Sequence, residues 1–145
     1  MSHSVIRVRT RETICHPDIA QLVMRGARKA GLPQPAAVLA EMVDRIHSHG
    51  IGVFIGFEGH DPKGVLVAEL PFSAFHLAPT VSLAYSEGGR ALSIAVGARL
   101  REWLQETGFD NVLAGNMRHT DRAFMRGLAH VGRVERVGGF FRFSF

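Results

Sequence analysis

Cysteine is almost absent from this 145-residue chain, where Cys15 stands alone. A single thiol cannot pair within the chain, which excludes a disulfide scaffold and makes a reducing, cytoplasmic compartment the expectation. Lysine is scarce too: only Lys29 and Lys63 among 17 basic residues. There is one tyrosine, Tyr85, and one tryptophan, Trp103. No apolar run approaches the roughly 20 residues that cross a bilayer. The longest, Ile51 to Phe57, is interrupted by two glycines. The first residues alternate charged with apolar side chains, unlike the continuous apolar stretch of a signal peptide. No repeat, low-complexity stretch or linker is found, so residues 1–145 are expected to form one domain, soluble and without a membrane partner. A P-loop, a serine-centred elbow and a dinucleotide fingerprint are all missing. His47 and His49 do not share a helix face, and neither they nor His60 has a cysteine or Glu-x-x-His partner nearby, so no metal site is expected.

What the chain does contain is arginine, 15 residues of it, within a formal charge of +4. Guanidinium groups favour bidentate contact with phosphates and carboxylates, so the surface suits an anionic ligand. The arginines are spread along the whole chain instead of being gathered among aromatics, which argues against a nucleic-acid partner. Cys15 beside His16 reads as a small buried apolar residue.

Hydrophobic periodicity orders the elements. Val5 to Arg9 alternates as a half-buried strand. His16-Pro17-Asp18 opens a helix carrying Ile19, Leu22, Val23, Ala27 and Ala30 on one face until Gly31. A second helix follows Pro33 and Pro35 and runs to Gly50. Two apolar strands, Gly52–Phe57 and Gly64–Leu70, flank a turn over Gly59–Lys63, and a third spans Thr80–Tyr85. The longest amphipathic helix buries Leu92, Val96, Leu100, Trp103 and Leu104, turns Arg99 and Arg101 to water, and ends at Gly108. Then come a strand over Asn111–Gly115, a helix that Thr120 can cap and that ends at Gly132, and a final pair, Val134–Val137 and Phe140–Phe145, joined by Gly138-Gly139. The order is β-α-α-β-β-β-α-β-α-β-β, an α+β three-layer arrangement over a mixed, mostly antiparallel twisted sheet. The last strand has apolar side chains on both faces, which a second copy in a homodimer or neighbours within the chain could cover. The loop Pro71–Pro79, with Phe72, Phe75, His76 and Leu77, is apolar for a connection and is expected at a substrate mouth or interface.

The junction Ser86-Glu87-Gly88-Gly89-Arg90-Ala91 carries the clearest chemistry. A glycine-rich turn opening a helix leaves backbone N–H groups free and aims them, with the helix dipole, at one point where an anion binds. Gly88 and Gly89 permit positive φ and close approach, and Arg90 adds a charge at the rim.

The element order and this junction resemble the GNAT superfamily of N-acetyltransferases, over nearly the whole chain. In the family's pyrophosphate loop, Arg/Gln-x-x-Gly-x-Gly/Ala, Gly89 and Ala91 match and Ser86 departs. Asp121-Arg122-Ala123-Phe124, running to Gly132-Arg133, stands where the family has Asn-x-x-Ala and departs from it at Asp121. The resemblance implies an acyl-CoA cofactor, most often acetyl-CoA, and transfer of the acyl group to an amine on a small molecule or protein. It implies a pyrophosphate on Gly88, Gly89, Arg90, Ala91 and Leu92, and a pantetheine arm paired with the backbone of Leu83, Ala84 and Tyr85 where that strand splays from Asn111–Gly115. A backbone N–H near Tyr85 would meet the thioester carbonyl. Asp121 and Arg122 would face the nucleotide end. Glu69 is the first candidate for the base, with His76 and His119 behind it. The family's acid tyrosine is replaced by Leu128, leaving Tyr85 as the candidate acid. These departures also fit a protein of this fold that has lost catalysis and serves as a structural or interaction module, as GNAT-like proteins do among some phage virion components.

Overall fold

The computed structural model describes residues 2–71, 78–115, 122–138 and 140–145. It opens with strand β1 (His3–Arg7) and a single-turn helix α1 (Arg11–Ile14), followed by α2 (Pro17–Lys29) and α3 (Pro35–Arg45). Strands β2 (Ile51–Glu58), β3 (Asp61–Glu69) and β4 (Thr80–Ser86) lead into α4 (Arg90–Glu106). Strand β5 (Asn111–Ala114), helix α5 (Arg122–Val131), β6 (Arg133–Val137) and β7 (Phe140–Ser144) complete the chain. The seven strands form one sheet in the order β1-β2-β3-β4-β5-β7-β6, with β4 and β5 parallel and every other pair antiparallel. No helix among the described residues is long and apolar enough to cross a membrane.

Strand alternation sends the core two ways. Val53, Ile55, Val65, Val67 and Leu83 face α2 and α3 and pack with Leu22, Val23, Met42 and Ile46. Phe54, Leu66, Ala68, Val81 and Ala84 face α4 and α5. Burial on both faces explains why β2 and β3 read as nearly continuous apolar runs. The expected stripe on α4 is buried, and the expected three layers and mixed sheet are observed. The Arg99 guanidinium, expected in water, instead lies 5.7 Å above the Phe54 ring, as that of Arg7 lies 5.5 Å above Trp103. The long aliphatic stem follows apolar surface while the cation keeps the ring's negative face.

Helix α5 sits close on α4. A Cβ at Gly127 would stand 2.5 Å from the Ser93 carbonyl oxygen, a contact no side chain can occupy, so glycine sets the approach of the two helices. Strand β7 is an interior strand between β5 and β6, with Phe143 fully buried and Phe141 and Phe145 packed against the same core. The apolar face of that strand is therefore covered within the chain, while β6 is the edge and Phe140 is half exposed.

Cys15, expected to be buried, is exposed. Four further details differ from the periodicity reading. Helix α1 escapes notice because one turn is too short for an apolar stripe; the Thr10 hydroxyl accepts from the Thr13 N–H at 3.3 Å and caps it. Strand β1 begins and ends two residues earlier than the alternation predicts. The β2–β3 turn tightens to Gly59-His60, because Glu58 already pairs with Asp61 and Lys63 is taken up in a bulge beside Pro62. Helix α3 ends at Arg45, five residues before Gly50. Thr120 and most of the Pro71–Pro79 loop, including Phe72, Phe75, His76 and Leu77, lie outside the described residues.

Candidate functional site

Strand β4 supplies the axis of the site. Its pairing with β3 matches Val67 with Leu83 but Ala68 with Val81, so Ser82 is an extra residue, a bulge. This shift is why Val81 and Ala84 share the α4 face while Leu83 shares the α2 face, although three residues separate the first two. Among the described residues β5 pairs with β4 only at Thr80 and Val81, on the near side of the bulge. Beyond it the Glu87 N–H donates to the Lys63 carbonyl at 2.7 Å. In an antiparallel ladder this alternation turns the backbone groups of Leu83 and Tyr85 toward β3 and those of Ala84 and Ser86 toward the opposite edge. Of the expected trio Leu83, Ala84 and Tyr85, it is Ala84 that presents its N–H and C=O to the opening, joined by Ser86.

That edge runs directly to the N-terminus of α4. The N–H groups of Arg90, Ala91 and Leu92 have no partner within the helix by its geometry, and no side chain at Gly89 caps them. Gly88 and Gly89 do not adopt positive φ, contrary to expectation; Gly89 is extended at φ −80°, ψ 177°. Space bears on the first position alone. A Cβ at Gly88 would meet the ends of the Glu58 and Leu92 side chains, whereas one at Gly89 would meet nothing within 4 Å. The Gly89 N–H donates to Glu58 Oε1 at 3.2 Å, so an anionic oxygen already rests at the head of the helix. The Gly88 N–H donates to the Ser86 hydroxyl at 3.1 Å, which gives that departure from the family loop a local role.

Tyr85 and Glu87 fasten this end to α2. The Tyr85 hydroxyl donates to Glu87 Oε2 at 2.7 Å, and Arg25 reaches the same carboxylate with two nitrogens at 2.6 and 3.0 Å. The Arg25 hydrogen bonds hold the Glu87 carboxyl below the usual carboxylate range, assisted by Tyr85. Burial, and then the neighbouring carboxylate, push the Tyr85 phenol above its ordinary value.

At the other end of β4, the bulge residue Ser82 donates from its hydroxyl to Glu69, and Arg45 of α3 donates to the second oxygen of the same carboxylate. Burial pushes the Glu69 carboxyl up, but the hydrogen bonds from Ser82 and Arg45 and the guanidinium charge outweigh it and hold it below the usual range. Glu69 is thus ionised at neutral pH and forms one wall of two cavities, of about 190 and 220 Å³.

The sequence-derived candidates are therefore divided between two places. Val65, four residues before Glu69, is the partner of Tyr85, so at about 3.3 Å per residue Glu69 and Tyr85 stand roughly 13 Å apart. Gly88, Gly89, Arg90, Ala91 and Leu92 do gather around the α4 N-terminus, though the Leu92 side chain is buried in the core and only its backbone faces the loop. Arg122 is exposed at the start of α5. Leu128, where the family carries its acid, is buried in the core. His119, His76 and Asp121 lie outside the described residues. Among the described residues no three His, Cys, Asp or Glu side chains gather to hold a metal ion. Sequence reasoning did not find Arg45, Ser82, Arg25 or Glu58, whose roles depend on partners 13 to 62 residues away.

No family model matches the chain, and no curated protein matches it by sequence. Solved structures do match over nearly its full length. One assigned to the GNAT acetyltransferase family from Desulfovibrio desulfuricans superposes with a TM-score of 0.64 at 19% identity, covering 99% of both chains. The yncA protein of Salmonella typhimurium, assigned as an acetyltransferase and solved with its cofactor acetyl-CoA, gives 0.70 at 14% identity, over 99% of this chain and 94% of that one. The PaiA N-acetyltransferase of Thermoplasma acidophilum, in complex with coenzyme A, gives 0.66 at 11% identity over 100% of both chains. What the present chain shares with them at these identities is the fold.

Proposed function

We propose that this chain, which has the GNAT acetyltransferase fold, is an acyl-CoA-dependent N-acyltransferase, most simply an acetyltransferase acting on an amine. The observation that carries the reading is the bulge at Ser82, beyond which no described residue of β5 pairs with β4, and from which the strand leads straight to the uncapped N-terminus of α4. A CoA thioester fits that track: phosphates suit unspent helix N–H groups, and an amide-bearing arm suits a free strand edge. The Glu58 oxygen on the Gly89 N–H supports an anion at this loop. Structural neighbours solved with acetyl-CoA or CoA support the same reading.

When bound, the acyl-CoA supplies a thioester whose carbonyl carbon gains a C–N bond to the amine as its C–S bond breaks, one ammonium proton ending on the CoA sulfur and one in solvent. The chain's contributions are positional and electrostatic. The N–H groups of Gly89, Arg90, Ala91 and Leu92 hold phosphate oxygens, with the Gly88 backbone beside them and Arg90 at the rim; Arg122 and Asp121 serve the nucleotide end. Ala84 and Ser86 pair with the arm, and the Ala84 N–H, next to Tyr85, is the donor toward the thioester oxygen. Leu83 and Tyr85 support that edge from the α2 face, with Tyr85 steadying the loop through Glu87. Glu69, kept ionised by Arg45 and Ser82, receives the ammonium proton directly or through water, with His119 the second candidate. This chemistry belongs in the cytoplasm, where Cys15 stays reduced.

A second reading, a non-catalytic structural or interaction protein of this fold, is favoured by Leu128 in the acid's place and by Glu58 lying across the loop. Thermal unfolding with acetyl-CoA and CoA separates the two. Ligand at 100 times its Kd should stabilise the acyltransferase by about 2.7 kcal/mol. No shift with either ligand supports the second reading.

A further inference from the structure

The cavity of about 190 Å³ beside the bulge has walls of two kinds. Leu32, Val38, Met42, Ile51, Val67 and Leu83 make it apolar over most of its surface. Glu41, Arg45, Glu69 and Ser82 make a polar rim on one side. Those four are a connected set: Arg45 Nη1 stands 3.6 Å from Glu41 and also donates to Glu69, which accepts from Ser82. One guanidinium is thus shared by two carboxylates, and the rim keeps one negative charge. Both contacts use Arg45 Nη1, and its single positive charge is outnumbered by two carboxylates, so the charge that balances the rim is positive. Glu41 is well exposed and marks the side from which a ligand enters, next to the half-exposed Leu32.

We infer that this cavity takes the acceptor, and that the acceptor is a compact apolar primary amine without a carboxylate, its ammonium at Glu69 and Glu41 and its body against Val38, Met42 and Leu83. The inference rests on the acyltransferase reading above. Size agrees with charge: an apolar cavity of roughly 150 Å³ accepts a benzene ring, so this one holds a ring with a short linker. Position agrees as well, because Ser82 is both a rim residue and the bulge of β4, so an amine at Glu69 lies beside the strand segment assigned to the thioester. In the reaction the amine nitrogen forms the C–N bond to the acyl carbon of the acyl-CoA and the C–S bond breaks. Of the two protons the nitrogen gives up, one returns to the thiolate sulfur and one leaves through Glu69 to solvent. The products are an N-acylated amine and free CoA.

The experiment is a panel of acceptors with acetyl-CoA, read as CoA thiol release and confirmed by mass of the product: 2-phenylethylamine, methylamine, phenylalanine and spermidine. The expected order places 2-phenylethylamine first, with kcat/KM at least about 100-fold above methylamine, since even two well-buried methylenes contribute about tenfold each. Val38→Phe, which fills the cavity, should remove most of that preference. Glu41→Lys, at an exposed position where folding is not at stake, should raise KM for 2-phenylethylamine roughly tenfold while leaving the thermal shift caused by CoA unchanged. Preference for phenylalanine would overturn the inference by showing Arg45 free for a carboxylate. Preference for spermidine, or turnover of 2-phenylethylamine indifferent to both substitutions, would overturn it by placing the acceptor elsewhere. A CoA-induced shift with no acylation of any amine in the panel overturns this inference alone, whereas absence of any CoA-induced shift overturns the acyltransferase reading beneath it.

Discussion

The two ends of β4 are built from the same parts and arrive at opposite chemistry. At each end an arginine on the α2–α3 side grips a carboxylate that also accepts a hydroxyl from the strand: Arg25 with Glu87 and Tyr85 at the loop, Arg45 with Glu69 and Ser82 at the bulge. At the loop the pair is joined by Lys63, Arg90, the Glu58 carboxylate and a row of helix N–H groups, next to a pocket lined by Asp18, Asp61, Arg25 and Lys63. The row of helix donors, with Arg90 at its rim, suits phosphate. At the bulge the pair is joined by a second carboxylate, Glu41, and by six apolar walls, which suits an ammonium on an apolar body. An ion pair by itself therefore says little about function. What surrounds it decides which sign of charge is missing.

Several substitutions break or sharpen this contrast. The largest effect is expected from Gly89→Glu. Nothing lies within 4 Å of a Cβ there, so the fold should be kept, yet a carboxylate would stand where phosphate approaches. Stabilisation by saturating CoA, about 2.7 kcal/mol at 100 times Kd, should vanish in a thermal unfolding series while the unliganded Tm barely moves. Next, Glu69→Gln should lower kcat by roughly 100-fold through loss of the proton acceptor, with calorimetric CoA affinity unchanged. A matching loss of CoA affinity would mean that the two ends are not separate. At the loop, Glu58→Gln should tighten CoA about fivefold, because a neutral amide competes less well than a carboxylate for the Gly89 N–H; titration calorimetry reads this directly.

The smallest effect is on pH-dependent stability. Glu69 and Glu87 are both held below the ordinary carboxylate value of 4.5, so the stability their pairs contribute is complete above that pH. It is lost as pH falls from 4.5 through the lower folded values, because protonation then removes the favoured charged form. Both pairs are partly open to solvent, so each contributes under about 1 kcal/mol. Denaturant titrations of the wild type and of Arg25→Ala should separate slightly at pH 7 and draw together as pH falls below 4.5. A wider gap at pH 3 would reverse the sign argued here.

Regular elements with local signals were legible in the sequence. The 3.6-residue stripe of α4, the helical pair α2–α3 and the alternating phenylalanines of β7 follow from periodicity, and together they carry the fold. The glycine-rich opening of α4 was legible as a turn that leaves helix N–H groups uncapped, although neither glycine takes positive φ and only Gly88 is short of space. The bulge was hidden: Thr80-Val81-Ser82-Leu83-Ala84-Tyr85 alternates as an ordinary strand, and only its pairing with β3 shows that Ser82 is extra. Glu69 could be singled out as an acid at a strand end, but Arg45 and Ser82, which set its charge, come from other elements and leave no local mark. The same holds for Glu58, 31 residues from the amide it occupies.

The most direct test of a single ligand track along β4 is a backbone amide map of the uniformly 15N-labelled protein titrated with acetyl-CoA. The account predicts that the amides of Ala84 and Ser86 and those of Gly89 through Leu92 shift together along one binding curve, with the Gly89 amide moving as it exchanges Glu58 for a phosphate oxygen. Shifts confined to other elements, or none at millimolar ligand, would contradict it.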